Sequence, residues 1–367
     1  MPLIVVNAGE HDRRQCPVFV KTPQPVEGPV RVLDKSTGAS LPAQATSDGR
    51  LAFIADCLSA GETRTYETHP YPSPELVQLD DDGESMWVRV GGEAFTTYLY
   101  STERKRPYFY PVLGPGGKEL TEEDPSDHIH HRSLYVAYGE VNGADCWGEG
   151  KNSGSVKAMS ASGTGGAVFA QINAESVWQD KDGNALMTDE IVWRIYNLPS
   201  TRRIIESKIV FKASEGDVVF GDTKEAGIMC VRVAPSLKVS NTGRIVNSFG
   251  GVNEAETWGK RANWCDYSGL ADGVRAGIAT LDHISNPRYP CHWHVRNYGL
   301  MGTNIFGRGT FQRGGQLIDG DGSFTLKAGE TLTFRYQVAA HAGGHLEADI
   351  EGAFHNFVHP PKAEWRE

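Results

Sequence analysis

Six of the twelve histidines in this sequence lie in two short stretches. Residues 127–132 read Asp-His-Ile-His-His-Arg, and residues 283–296 begin with a histidine and end Cys-His-Trp-His-Val-Arg. Side chains two positions apart lie on the same face of a β-strand. An extended backbone would therefore align these side chains in rows that line a cleft: His128 with His130, and His292 with His294 and Arg296.

Proton transfer near neutral pH is the chemistry that such rows of imidazoles serve best. A histidine side chain has a pKa of about 6.5 and can accept or donate a proton at physiological pH. A single histidine is more often a hydrogen-bonded structural residue, and that alternative stays open for each one taken alone. Two clusters flanked by tryptophans and arginines favour one functional cleft, because perturbed titratable groups gather at active sites.

A metal site is the sharper interpretation of the same histidines. Imidazole binds zinc, iron, copper and nickel, and two histidines with one carboxylate form a common ligand set. Residues 128–131 would supply two ligands, and the candidates for a third are Glu140, Asp145, Glu225 and Asp266. No His-Glu-x-x-His motif is present. A divalent transition metal is therefore an option that the sequence does not require.

Two further segments combine charges with aromatic rings. Lys224 and Glu225 precede a strand that carries Arg232, and they suit either acid–base chemistry or an exposed ion pair. Residues 257–269 contain two tryptophans, two cations and one aspartate. Such a mixture suits a sugar, which has apolar C–H faces and a rim of hydroxyls. The alternative is a loop that fills the core and leaves its cations on the surface.

Composition restricts the partners of such a cleft. The 367-residue chain has a formal net charge of −10 without long single-sign runs, which argues against nucleic acid and acidic membranes. The first residues lack the pattern of a signal peptide, and no segment approaches the roughly 20 apolar residues that span a bilayer. We therefore expect a cytoplasmic protein. Its six cysteines are widely spaced without a C-x-x-C pair, which predicts buried free thiols.

Strand-like patterns dominate the segments that must position these residues. Leu332, Phe334, Tyr336 and Val338 alternate with polar residues, as in a strand with one buried face. Five Asp-Gly pairs predict antiparallel hairpins, and their aspartates are Asp48, Asp82, Asp182, Asp272 and Asp321. One stripe has helical spacing and predicts a single C-terminal helix: Leu346, Ile350, Phe354 and Phe357.

The sequence thus predicts an all-β, antiparallel fold in two parts. Residues 1–72 form a small N-terminal β-sandwich unit, and residues 73–367 form a large antiparallel β-sandwich that carries the site. The boundary rests on residues 69–74, where three prolines favour an extended linker.

Five runs of the sequence resemble a bacterial family of unknown function that carries the label PmoA-like. They begin at Arg106, Asp127, Gly139, Trp264 and Asn286, and they read RPYFYPVLGPGG, DHIHHRSL, GEVNGADCW, WCDYSG and NPRYPCHWHVRNYG. The resemblance covers about residues 70–345. It implies carbohydrate catabolism, since members resemble proteins encoded beside sugar oxidoreductases and sugar isomerases. It also implies a fold similar to the β-supersandwich of sugar mutarotases and polysaccharide lyases.

We therefore expect an enzyme that performs acid–base chemistry on a sugar or an oxidised sugar: hydrolysis or elimination at a glycosidic bond, or epimerisation beside a carbonyl. A glycosidase with two carboxylates is disfavoured, because the clusters lack paired acids. The alternative is a non-catalytic carbohydrate-binding protein. The candidate catalytic residues are His128, His130, His131, Arg132, Lys224, Glu225, His292 and His294. The candidate substrate-binding residues are Arg232, Trp258, Lys260, Arg261, Trp264, Asp266, Trp293 and Arg296.

Overall fold

A computed structural model describes residues 2–72, 74–312 and 321–366. Strands are the dominant regular structure in this part of the chain. The first ten are β1 (Leu3–Asn7), β2 (Arg13–Lys21), β3 (Val30–Asp34), β4 (Ser40–Ala45), β5 (Arg50–Leu58), β6 (Thr63–Pro70), β7 (Val77–Asp81), β8 (Ser85–Val90), β9 (Glu93–Leu99) and β10 (Tyr108–Val112).

The middle and the end of the chain continue in the same way. The middle strands are β11 (Leu134–Tyr138), β12 (Ser155–Thr164), β13 (Phe169–Gln179), β14 (Ala185–Tyr196), β15 (Arg202–Lys212), β16 (Val218–Phe220), β17 (Ala226–Arg232) and β18 (Arg244–Asn247). The last strands are β19 (Trp264–Ala271), β20 (Val274–Asp282), β21 (His292–Val295), β22 (Leu300–Asn304), β23 (Phe324–Leu326), β24 (Thr331–Ala342) and β25 (Lys362–Arg366). The α-helices are α1 (Asn253–Thr257), α2 (Arg308–Gln312) and α3 (Ile350–Val358).

The N-terminal unit is a seven-stranded antiparallel sheet with the order β2-β5-β4-β3-β6-β1-β25. Its edge strands β2 and β25 lie against each other, so the sheet is nearly closed, like a barrel, around its own apolar core. Alternation produces this core: Ile4 and Val6 of β1 are fully buried, and Leu3, Val5 and Asn7 are less so. The last strand, β25, reaches this sheet from the end of the chain. The boundary near residue 72 stays a prediction.

Two eight-stranded antiparallel sheets form the larger part of the molecule. The front sheet has the order β21-β22-β17-β11-β10-β9-β8-β7, and the back sheet has the order β12-β13-β14-β15-β24-β20-β19-β18. Their facing sides share one core, in which the rings of Phe109 and Trp193 meet edge-on with centroids 5.0 Å apart. A small fourth sheet pairs β16 with β23. The predicted antiparallel, mostly β fold is confirmed.

Four of the five predicted Asp-Gly turns connect strands that pair. They join β4 to β5, β7 to β8, β13 to β14 and β19 to β20. Each glycine has a positive φ, between 76° and 91°, which a residue without a Cβ adopts at no steric cost. The fifth pair begins at Asp321, directly after residues 313–320, which lie outside the described part. The predicted C-terminal helix is α3, whereas the five-residue α1 and α2 were not predicted.

The cysteines and the helices agree with two simpler expectations. All six cysteines are free; five are buried and Cys57 is exposed. Burial raises the pKa of Cys16 and of Cys146 to about 12, so both thiols stay protonated. Among the helices of the described residues, none is long and apolar enough to cross a membrane.

Candidate functional site

A cavity of about 440 Å³ lies on the side of the front sheet that faces away from the shared core. We call it the histidine cavity. Four segments meet there: the first histidine stretch, residues 139–148, the turn before β17 and the residues that follow β21. The predicted residues among its walls are His128, His130, His131, Lys224, Glu225 and Arg296.

The first histidine stretch forms a turn and not the expected strand. The backbone N–H of His128 donates to the carbonyl of Pro125 at 3.0 Å, and that of His131 donates to the carbonyl of His128 at 2.9 Å. Residues three apart therefore lie side by side, and the rings of His128 and His131 stack with centroids 4.7 Å apart. His130 lies edge-on to His131 at 4.6 Å. The cluster exists, but turn geometry and not strand alternation creates it.

Arg232, at the end of β17, anchors this turn. Its fully buried guanidinium donates to Glu122 at 2.8 Å and to both oxygens of Asp127 at 2.8 and 2.9 Å. It also lies 3.1 Å from Nδ1 of His131. A guanidinium can only donate, so this nitrogen accepts and the proton of His131 is on Nε2. Burial, together with the charges of His130 and Arg232, lowers the pKa of His131 to about 2, so the ring stays neutral.

Asp127 in turn orients His128. Nδ1 of His128 lies 3.1 Å from Oδ2 of Asp127, which leaves Nε2 for a ligand. Although partial burial alone would raise it, the hydrogen bonds from Arg232 and the nearby ring of His128 hold the pKa of Asp127 well below its usual range. The ring of His128 also stacks on Tyr298 at 4.6 Å. An ionised carboxylate beside an imidazole fixes the orientation of the ring.

His130 is the second titratable group in the cavity. Burial, followed by the charge of Arg106, lowers its pKa. The ring is therefore neutral at pH 7 and can accept a proton. Within the described residues, the ring of His130 has no hydrogen-bond partner on the protein. His130 and Asp127-bound His128 thus offer two bases in one cavity.

Two aromatic residues of the cavity were missed by the sequence reasoning. Trp147 has its ring centroid 6.3 Å from that of His130, and Tyr298 stacks on His128. Arg106, which is 2% exposed, holds the tryptophan loop by donating to the carbonyl of Trp147 at 2.5 Å. Both aromatic residues lie in runs that carried the family resemblance. Their position in the sequence next to polar residues of those runs could have identified them as candidates.

Charged groups complete the walls of the cavity. Lys224 pairs with Glu225, and 44% and 45% of their side chains are exposed. Gly139 allows this turn to come close, because a Cβ there would lie 2.1 Å from the carbonyl oxygen of Glu225. Arg296 pairs with Glu254 at 2.9 Å. Two cations therefore face a cavity that also contains two neutral histidines.

Alternation in β21 decides which residues of the second histidine stretch face this side. Trp293 and Val295 belong to the shared core, so His292 and His294 point the other way. Trp293 is fully buried and donates from Nε1 to the carbonyl of Ala262 at 2.9 Å. Its predicted role in substrate binding does not agree with this position, because a core side chain cannot reach the cavity.

Several predicted residues lie near the cavity but do not line it. His294 is only 1% exposed, and burial lowers its pKa to about 3, so its ring stays neutral. His292 stacks on Phe311 with centroids 5.7 Å apart. Arg132 pairs with Glu149 and with Asp124.

The segment around residue 258 has mainly structural contacts. Trp258 lies edge-on to Phe311 at 5.1 Å. Arg261 donates to the carbonyls of residues 288–290, and Lys260 is exposed. These three residues therefore surround the second histidine stretch without reaching the cavity.

Trp264, Asp266 and His283 lie on the other side of the molecule. In β19, Cys265 and Tyr267 face the shared core, so Trp264 and Asp266 face the outer side of the back sheet. Trp264 packs near α3 and donates to Glu351 at 2.6 Å. Asp266 is fully buried, 2.7 Å from Nε2 of His341, and His283 lies edge-on to Phe357. These three residues therefore do not line the histidine cavity.

The histidines do not converge in the manner of a metal site. Residues 2–72, 74–312 and 321–366 contain no group of three or more His, Cys, Asp or Glu side chains that could hold a metal ion. The stacked rings of His128 and His131 direct their nitrogens along parallel planes, and Nδ1 of His131 is occupied by Arg232. A tetrahedral site needs lone pairs that point to one centre.

Residues 85–355 match the model of a family described as a family of unknown function, DUF6807. The chain belongs to this family. The matched residues include the entire histidine cavity, together with the turn that Arg232 anchors. No curated protein matches the sequence.

Two solved structures have a similar backbone fold. One is a protein of glycosyl hydrolase family 38 from Enterococcus faecalis, with a TM-score of 0.47 and 9% identity, covering 100% of this chain and 47% of that chain. The other is an alpha-mannosidase from Enterococcus faecalis V583, with a TM-score of 0.47 and 9% identity, covering 100% of this chain and 46% of that chain. The chain thus spans about half the length of each. Similarity at this level assigns neither an activity nor a substrate.

Proposed function

We propose that this DUF6807 protein is an enzyme that transfers a proton on a sugar or an oxidised sugar in the histidine cavity. The observation that carries the proposal is the contact of 3.1 Å between Asp127 and Nδ1 of His128, beside a second, neutral histidine in the same cavity. A carboxylate that orients an imidazole makes its other nitrogen a general base, and after protonation a general acid.

The reaction class that suits these groups is removal of a proton from a carbon next to a carbonyl. Nε2 of His128 takes the proton, and Asp127 stabilises the resulting imidazolium. The negative charge moves to the carbonyl oxygen, where Lys224 and Arg296 supply positive charge. Return of a proton to the other face gives the epimer. If instead the C–O bond of the next carbon breaks, the electron pair forms a C=C bond and the departing oxygen takes a proton from water, which gives elimination.

Hydrolysis by two carboxylates fits the cavity less well. Asp145 is already an acceptor for the backbone N–H groups of Trp147 and Gly148 and for the hydroxyl of Ser153. Glu225 is paired with a lysine. Neither carboxylate is therefore placed as one of the two independent acids that this mechanism needs.

A sugar is the substrate class that the cavity chemistry supports. Trp147 and Tyr298 bring aromatic rings to the walls, and Thr223 and the two cations bring hydrogen-bonding groups for hydroxyls. A volume of about 440 Å³ lies in the usual range for small-molecule sites. The resemblance to PmoA-like proteins encoded beside sugar oxidoreductases supports the same class.

The test is solvent exchange at the carbon beside the carbonyl. The protein is incubated in D₂O with a panel of glycosides and their 3-keto forms, and deuterium incorporation is followed by NMR. This readout detects proton removal even when no net product accumulates. His128→Gln and His130→Gln are the test variants, and His292→Gln is the matched control, since His292 lies outside the cavity.

We expect His128→Gln to lower the exchange rate by about 10²–10⁴-fold, the usual effect of removing a positioned base, with little change in substrate affinity. His292→Gln should exchange at the original rate. Full exchange in both cavity variants would refute the assignment of the bases. Binding of the sugars without exchange or product in the unmodified protein would identify a non-catalytic carbohydrate-binding protein.

A further inference from the structure

A second cavity, of about 940 Å³, lies between the N-terminal sheet and the outer side of the back sheet. We call it the back-sheet groove. Its floor consists of β13, β14, β15 and β24, and its walls include residues 44–48 and α3. Four strands at the usual spacing make the floor roughly 14 Å wide. The groove and the histidine cavity lie on opposite sides of the two packed sheets, so the inference below does not rest on the proposed function.

The floor contains positive charges that the protein does not neutralise. Lys208 of β15 and Arg335 of β24 are direct cross-strand neighbours. Like charges in this position repel each other. Within the described residues, neither side chain forms a hydrogen bond or an ion pair with a carboxylate. A bound anion between them would remove the repulsion.

Arg202 adds a buried cation to the same groove. Its side chain is 7% exposed, and its buried Nη2 has no hydrogen-bond partner. Burial lowers the pKa of Arg202. The negative charge of Asp349 opposes this shift, but the two side chains do not form an ion pair. A buried guanidinium with unmade hydrogen bonds is costly. The chain as a whole has a net charge of −10, but cations outnumber carboxylates in the groove. The carboxylates are Asp48 and Glu206, and the cations are Arg50, Arg194, Arg202, Lys208 and Arg335.

The neutral groups of the floor suit hydroxyls. Gln337 donates to Glu206 at 2.7 Å, and Gln171 accepts from Arg194 at 3.2 Å. Such a mixture of donors and acceptors matches a hydroxyl, which does both. Each floor strand has a partner on both sides, so no strand edge is open to an extended peptide. The ring of Phe19 is contacted by two guanidiniums, at 4.8 and 5.5 Å, which compete with a nucleotide base for its faces.

We infer that the back-sheet groove binds an acidic saccharide. Its carboxylates contact Lys208 and Arg335, and its hydroxyls contact the amides and Glu206. The width of the floor accommodates an oligomer rather than a single sugar ring.

The test is isothermal titration calorimetry of the full chain with trigalacturonate at low ionic strength. Lys208→Gln and Arg335→Gln are the test variants. Lys212→Gln is the matched control, because Lys212 is an exposed lysine of the same strand outside the groove. We expect each test variant to weaken binding about tenfold, the effect of one hydrogen bond to a charged group, and the control to bind as before. Unchanged melting temperatures confirm that the variants fold.

Three outcomes would overturn the inference: no binding of trigalacturonate, equal binding of the neutral trisaccharide maltotriose, or equal effects of Lys208→Gln and Lys212→Gln. Inorganic sulfate that binds as tightly as trigalacturonate would overturn the saccharide assignment and leave an anion site. The readout is binding alone, so it is independent of the deuterium exchange that tests the histidine cavity.

Discussion

Replacement of Arg232 by methionine should destabilise the protein by removing the cation that anchors the histidine turn. Methionine keeps an unbranched apolar stem in the fully buried position. The variant loses the hydrogen bond to Glu122, both hydrogen bonds to Asp127 and the contact with His131. Two carboxylates then lose a buried partner, which water can replace only in part.

The structure places the loss at the lower end of the usual range. Removal of one partner of a buried ion pair typically costs about 3–5 kcal/mol. Glu122 keeps Lys238 at 2.7 Å, and 41% of the Asp127 side chain is exposed, so both carboxylates retain some compensation. We expect Arg232→Met to lower the free energy of unfolding by about 3 kcal/mol at pH 7.

The loss should also depend on pH. Arg232 holds the folded-state pKa of Asp127 below its unfolded value, so the stabilisation is complete above about pH 4 and is lost as the pH falls through the folded pKa. The difference between the two proteins should therefore stay constant from pH 7 to about pH 5 and narrow from there towards pH 3.

Urea denaturation followed by tryptophan fluorescence measures both effects. Arg244→Met is the control, because this exposed arginine of β18 should change stability by less than about 0.5 kcal/mol. A loss in Arg232→Met below about 1 kcal/mol at pH 7, or a difference that does not change with pH, would refute the reasoning.

Three further predictions concern buried residues. Burial raises the pKa of Asp189 to about 7, so ionisation of this carboxyl opposes folding above about pH 4. In urea denaturation, Asp189→Asn should therefore gain stability relative to the original protein as the pH rises from 4 to 7. A stability difference that stays constant over this range would contradict the prediction. Trp264→Ala should lower the free energy of unfolding by about 3–5 kcal/mol without changing deuterium exchange in the histidine cavity, and slower exchange would show that Trp264 acts there. His294→Ala should destabilise by about 1–3 kcal/mol in the same urea experiment, and an unchanged unfolding midpoint would contradict its burial.

Local patterns determined much of the fold. Alternation in β24 and the Asp-Gly turns predicted antiparallel strands, and the structure confirms them at four turns. These signals work because a strand buries every second residue and a tight turn needs a residue that tolerates positive φ. The stripe of Leu346, Ile350, Phe354 and Phe357 predicted α3 for the corresponding reason, the helical period, although Leu346 lies before the helix and is 82% exposed.

The candidate site was only partly accessible from local patterns. Residues 128–131 were identified by their composition, although the backbone forms a turn there. Trp264 and Asp266 were predicted to lie in the same cleft, but they face the outer side of the back sheet. Both faces of this sheet are covered by other parts of the protein, so either face could have carried buried residues. Alternation shows that two residues share a face, but it does not show which face meets the shared core.

The sequence by itself therefore determined the strand content, the antiparallel turns, the C-terminal helix and the residue types available for proton transfer. Only the tertiary structure decided that Arg232 bonds to Asp127, that Asp127 lies beside His128, and that Lys208 faces a groove together with Arg335. The physical reason is that hydrogen bonds and charge interactions depend on distances through space. Those distances follow from the order of strands that are far apart in the chain, which no local period encodes.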